Sequence, residues 1–183
     1  LLHVGQDEYD AGLAAGEALA SMGGTNGICV NQEVGNVALD LRCQGFADGF
    51  GGSTTVLPTT NDPTEIESKV AAALSSDESI DTVMALGAGT AGEPSVAAAN
   101  ASGRDILVAS FDLSASFLQS IVDGDAAFAL DQQQFLQGYL SVNFLALHAD
   151  YGLMPGGNVP SGPNLITAEK AAQVIDLSAQ GIR

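Results

Sequence analysis

The stretch Thr82–Asp112, TVMALGAGTAGEPSVAAANASGRDILVASFD, decides the fold. It opens on an apolar run, Thr82–Leu86, and passes through the small-residue turn Gly87–Gly92. A helix-like segment then begins at Pro94, and a second apolar run, Asp105–Phe111, ends at Asp112. Neither run alternates polar with apolar residues, as a strand with one wet face would. Continuous apolar runs belong to strands covered on both faces. Two such strands joined through a helix form a crossover unit, and crossovers build parallel sheets.

Further strand-like runs repeat the pattern on either side: Ile28–Val30, Thr54–Leu57 and Ala126–Leu130. Helix-like segments fill the intervals. Asp7 is placed to cap a helix with Leu13, Ala14, Ala18 and Met22 on its apolar face, and Gly23-Gly24 ends it. Asn36 can cap Val37–Asp48. Asp62 precedes Pro63, with Glu65 three residues on, which is a cap, a proline at the first helical position and an acid at the third. Ser114 can cap a further helix. The expected fold is α/β: a parallel sheet of five or six strands with helices on both faces, and residues 1–131 form one lobe.

Beyond that lobe the rhythm stops. Gln133–Tyr151 reads as one long helix, Met154–Pro163 (MPGGNVPSGP) as a loop, and Ala168–Ile175 as a short segment. Residues 132–183 are expected to leave the lobe as a hinge crossover, a long helix and a tail. Val142, Phe144, Leu145 and Leu147 would expose apolar surface on that helix, which monomers rarely tolerate. The helix is therefore expected to be swapped, displaced or covering another chain, as in a swapped homodimer.

Composition narrows the partners. The chain of 183 residues carries 22 acidic and 5 basic side chains, for a net charge of −17. Nucleic-acid binding needs rows of Lys and Arg against phosphate, so it is excluded, and an anionic membrane surface would repel the chain. No apolar run reaches membrane-spanning length. Cys29 and Cys43 can form one disulfide in an oxidising compartment or remain two buried thiols, and the sequence leaves both open. His3 and His148 have no partner spacing for catalysis or metal binding. No cofactor is expected.

In a covered parallel sheet, ligands bind just beyond the carboxyl ends of the strands. The polar residues at those ends are Asn36 and Arg42 after the first strand, Asn61 and Asp62 after the second, Asp112 after the fourth, and Asp131 and Gln132 after the fifth. Sugar hydroxyls donate and accept. A site for them uses Arg as multiple donor, Asp as acceptor, and Asn or Gln as both. Asn36 and Asp62 also serve fully as helix caps. Arg42 could instead be a surface residue paired with a nearby acid, and Asp112 a strand-ending turn residue. Arginine is rare in this chain and Asp112 follows an apolar run, which favours function for these two. A competing motif is Gly87–Gly92, which matches G-x-G-x-x-G after a strand, with Asp112 at the next strand end. Against dinucleotide binding, Glu93 would repel a pyrophosphate, and Pro94 removes a donor at the helix start.

Five segments in order, HVGQDEYDAGLAAGEAL, ICV, DLRCQGF, ILVASFD and DQQQFLQG, resemble the type I periplasmic solute-binding proteins of the ribose and galactose type. The resemblance implies the sugar-capturing component of a bacterial ABC importer, located in the periplasm or held outside the cell as a lipoprotein. It implies no enzymatic activity, and as partners a simple sugar or polyol, a permease and a chemoreceptor. It also implies roles for residues. Arg42 would grip hydroxyls, and Asp112 in Ser-Phe-Asp would match the Asp after the family's Gly-Phe-Asp strand. Gln132 would be the contact near the hinge, and Asn36 and either Asp62 or Thr64 would add contacts. Gly87-Ala88 stands where many members have Asn-Asp. By the same resemblance the chain begins at the last strand of a first lobe, near Leu2–Gly5. The effector domain of a LacI-type repressor shares this fold and is the alternative reading.

Overall fold

The computed structural model describes residues 2–183; Leu1 lies outside the described residues. A short strand, β1 (Val4–Gly5), leads into α1 (Glu8–Ser21). Four strand–helix pairs follow: β2 (Asn26–Asn31) with α2 (Val37–Phe50), β3 (Ser53–Pro58) with α3 (Pro63–Ser76), β4 (Thr82–Ala85) with α4 (Glu93–Ser102), and β5 (Leu107–Phe111) with α5 (Ala115–Asp123). The chain then forms β6 (Phe128–Asp131), α6 (Gln134–Tyr151), β7 (Val159–Pro160), β8 (Asn164–Ile166) and α7 (Ala168–Ala179). The caps act locally as the sequence implies. Asp7, Asn36, Asp62 and Ser114 each accept a backbone N–H from the first turn of their helix.

The main sheet has the order β3-β2-β4-β5-β6-β8. Its first five strands are parallel, and β8 joins β6 antiparallel. β4 and β5 are central and almost wholly buried, which explains their unbroken apolar runs. The edge strand β3 is polar and mostly exposed. One face of the sheet is packed by α1 and α2 through Leu19, Leu39, Phe46 and Phe50, against Met84, Phe111 and Phe128. The other face is packed by α3, α4, α5 and α7 around Val70, Val83, Val108, Phe117 and Ile121. Helices α1 and α2 touch backbone to backbone. A methyl group at Gly12 would run into the Arg42 carbonyl, and one at Gly45 into the Tyr9 carbonyl. This close approach sets Arg42 against the start of α1.

The tail departs from the sequence expectation. Residues 164–183 return to the same lobe, because β8 extends the sheet and α7 buries Ala171 and Val174 against it. Only α6, with β1 and β7, stands apart. β1 and β7 form a separate two-stranded sheet, and no residue of α6 is buried. Phe135, Tyr139, Val142, Leu145 and Tyr151 are exposed along α6. The cysteines are paired: Cys29 on β2 and Cys43 on α2 form a disulfide with a Cα–Cα distance of 5.7 Å. Among the described residues no helix is long and apolar enough to cross a membrane.

Candidate functional site

The carboxyl ends of β4, β5 and β6 face one edge of the sheet, and the side chains there are tied to one another. Asp112 follows β5 directly in the left-handed backbone region, with φ 64°. Aspartate enters that region more readily than most residues. Its N–H donates to the Leu130 carbonyl at 2.8 Å, which fixes the turn against β6. Its Oδ1 accepts from Gln132 Nε2 at 2.6 Å and from Gln134 Nε2 at 2.7 Å.

Burial pushes the Asp112 carboxyl above the usual aspartate range. The hydrogen bond from Gln132 and the charge of Arg42 pull it back, while Glu8 and Asp131 add to the rise. The oxygen Oδ2 accepts no hydrogen bond among the described residues.

Arg42 reaches the same edge from α2 and is buried. Its guanidinium lies over the Phe111 ring, 4.4 Å from the centroid. Nε donates to Glu8 Oε2 at 2.6 Å, and Nη1 to the Leu86 carbonyl at 3.1 Å. A cation out of water needs such partners. Nη2 donates to nothing among the described residues. The edge therefore presents a fixed donor, Arg42 Nη2, and a fixed acceptor, Asp112 Oδ2, held by their own neighbours. This is the chemistry that a hydroxyl, donor and acceptor at once, can satisfy.

Gln132 is anchored from its far side. Its carbonyl accepts from Ser161 Oγ at 2.6 Å and from Gln137 Nε2 at 2.9 Å. Asn36 and Asp62 are not drawn into these contacts. Asn36 accepts from the Ala38 N–H at 3.1 Å and donates to Glu33 at 2.8 Å. Asp62 accepts from the Thr64 N–H at 2.9 Å and the Glu65 N–H at 3.4 Å. Asn36 is half-buried at the start of α2, and Asp62 is exposed at the start of α3.

The glycine motif curls into a single π-helical turn, Ala88–Gly92. The Ala91 and Gly92 N–H groups both donate to the Gly87 carbonyl. Glu93 opens α4 and accepts from Ser114 Oγ at 2.6 Å. Two amide donors are thus engaged, and a carboxylate occupies the helix start where a pyrophosphate would sit. Sequence reasoning missed Glu8 and Gln134. The one available signal concerned Glu8, since one of only three arginines amid 22 acids is expected to find a carboxylate. Among the described residues no cluster of His, Cys, Asp and Glu could hold a metal ion.

Residues 1–153 match a family model described as "Periplasmic binding protein domain". The chain is similar to a carbohydrate transporter of Acidothermus cellulolyticus solved in complex with myo-inositol. The two share 33% identity with a TM-score of 0.92, over 100% of this chain and 65% of that one. It shares its fold with an ABC transporter solute-binding protein of Actinobacillus succinogenes with bound D-allose (16% identity, TM-score 0.80, 94% and 63% of the two chains). It also shares its fold with a periplasmic ribose ABC transporter protein of Conexibacter woesei (17% identity, TM-score 0.83, 98% and 63%). The chain thus spans slightly less than two thirds of the length of these solved structures. No curated protein matches the sequence. With the family model matched over residues 1–153 and a related structure at 33% identity over the whole chain, this chain belongs to the periplasmic binding protein family.

Proposed function

We propose that this chain is the main ligand-gripping part of the substrate-binding component of a bacterial ABC importer, acting outside the cytoplasmic membrane. Its ligand is a simple sugar or cyclic polyol, which it binds without chemical change. The observation that carries this reading is the unengaged pair, Arg42 Nη2 and Asp112 Oδ2, fixed by Glu8, Leu86, Gln132 and Gln134. A prearranged donor and acceptor suits neighbouring hydroxyls, and it loses little freedom on binding. Asn36 and Asp62 are assigned to the rim of the same edge, where a ligand hydroxyl would share their cap bonds.

The similarity to the Acidothermus cellulolyticus protein in complex with myo-inositol supports cyclic polyols as the first class to test. About a third of each matched structure's chain has no counterpart here, and we assign to that additional lobe the opposite wall of the cleft. The same lobe would cover the exposed apolar face of α6, and without it that face is available to a second copy. Closure of the two lobes would bury the ligand, and a permease would then receive it.

Calorimetry of the full-length protein against myo-inositol, D-ribose, D-allose, L-arabinose and D-galactose tests the reading. Saturable binding of one of them is expected. Binding of none, with NADH bound instead, overturns it in favour of a dinucleotide site.

A further inference from the structure

Gln32 follows β2 at the same sheet edge, and its side chain is unpaired. Its carboxamide makes no hydrogen bond among the described residues, and its Oε1 is buried. Its neighbours in sequence are engaged. Asn31 donates to Asp40 at 2.8 Å, and Glu33 accepts from Asn36 and Asn61 at 2.8 and 3.1 Å. Buried polar groups in native structures are nearly always paired, so an unpaired one calls for a partner.

The pairing of β2 with β4 places that partner. The register sets Val30 opposite Ala85. Two residues on, Gln32 lies beside Gly87, and a Cβ at Gly87 would stand 3.2 Å from Gln32 Nε2. The missing side chain at Gly87 therefore leaves the space beside the carboxamide open. Between Ala85 and Gly87, just past the end of β4, is Leu86, whose carbonyl holds Arg42 Nη1 at 3.1 Å. The unpaired carboxamide thus adjoins the peptide that positions the arginine.

We propose that Gln32 is a further ligand contact that sets specificity, its carboxamide pairing with the polyol hydroxyl next to the one gripped by Arg42. This rests on the sugar and polyol reading of the site. The open space lies beside Nε2, so the carboxamide is placed to donate to the hydroxyl oxygen there. Gly87 is the position that admits that hydroxyl.

The test is calorimetry of the full-length protein with myo-inositol and its monodeoxy analogues. Gln32→Leu is expected to weaken myo-inositol binding about tenfold, the effect of one net hydrogen bond. Its Tm is expected to stay level or rise, because a buried unpaired carbonyl has been removed. The loss should vanish for the one deoxy analogue that lacks the paired hydroxyl. Gly87→Ala, at an extended φ of −169° that alanine adopts freely, should weaken binding from the other side by displacing the carboxamide. Wild-type affinity in both variants overturns the assignment, as does an equal loss for every analogue. If Arg42→Ala abolishes binding while Gln32→Leu does not alter it, the polyol reading stands and the Gln32 assignment falls. If the wild-type protein binds no sugar or polyol, both fall.

Discussion

Gln132 donates to Asp112 across the ends of two adjacent parallel strands, Nε2 to Oδ1 at 2.6 Å. The residues are 20 positions apart in sequence. The bond turns one carboxylate oxygen inward and leaves the other unengaged. It also ties the edge to Ser161 and Gln137, through the Gln132 carbonyl. The carboxylate is consequently held in place before any ligand arrives.

Arg42→Ala should remove charge-assisted hydrogen bonds worth roughly 1.5–3 kcal/mol each. Ligand affinity should fall at least about tenfold, read by calorimetry of the full-length protein. The variant also leaves the Glu8 carboxylate without its cation, with only the Gln6 hydrogen bond among the described residues, so its Tm should fall too. Arg42→Lys keeps the charge but cannot reach Glu8 and the Leu86 carbonyl in one planar fork, and should rescue binding only in part.

Asp112→Asn should separate stability from binding. Burial raises the Asp112 carboxyl, so in the folded chain it holds its proton more tightly than in the unfolded chain. Its ionisation therefore weakens the fold as pH rises through the raised value. Asparagine retains an oxygen for Gln132 and Gln134 and removes the charge. The variant should be more stable than wild type near pH 7, and the difference should close below about pH 3, where both side chains are neutral. Equal urea midpoints at neutral pH would contradict this.

Ligand affinity of the wild-type protein should fall on acidification as Asp112 gains its proton. The midpoint should lie above the ordinary aspartate value of about 3.9. A titration by calorimetry between about pH 4 and pH 7 checks it, and a flat profile would remove Asp112 from the site.

Replacing Cys29 and Cys43 together by alanine should destabilise the lobe. The disulfide closes a loop with a sequence separation of 14, and crosslinks of that size contribute about 3 kcal/mol. Chemical denaturation of the double variant, and of wild type under reductant, should show matching losses. Disulfides persist in oxidising compartments, in keeping with the extracytoplasmic role proposed.

Asp131 is fully buried and pairs with Arg183 Nε at 2.9 Å, while the Gln133 N–H bonds its other oxygen at 2.8 Å. Arg183→Ala would leave a buried carboxylate without its cation. Breaking a buried pair costs about 3–5 kcal/mol. Arg183 is 33% exposed, so the expected loss is smaller, about 1–3 kcal/mol by urea denaturation. The C-terminal segment after α7 would then loosen first, visible as faster hydrogen exchange at the Gly181 and Ile182 amides, which bond back to the Ser178 and Leu177 carbonyls.

The sequence by itself determined the lobe. Continuous apolar runs at a steady interval, separated by capped helices, permit little besides a covered parallel sheet. Parallel strands carry the residues after β5 and β6 to one edge, so Asp112 and Gln132 could be paired on paper. Tertiary structure decided what depends on contacts far apart in the chain. The strand β8, Asn164–Ile166, is too short to show a period, and its antiparallel pairing with β6 returned the tail to the lobe. The disulfide required β2 and α2 to be packed together. Glu8 became the partner of Arg42 because glycines let α1 and α2 touch, which no local pattern encodes. Gln32 reads as an ordinary polar residue at a strand end. Only the ladder that sets it beside Gly87, with no bonding partner among the described residues, sets it apart.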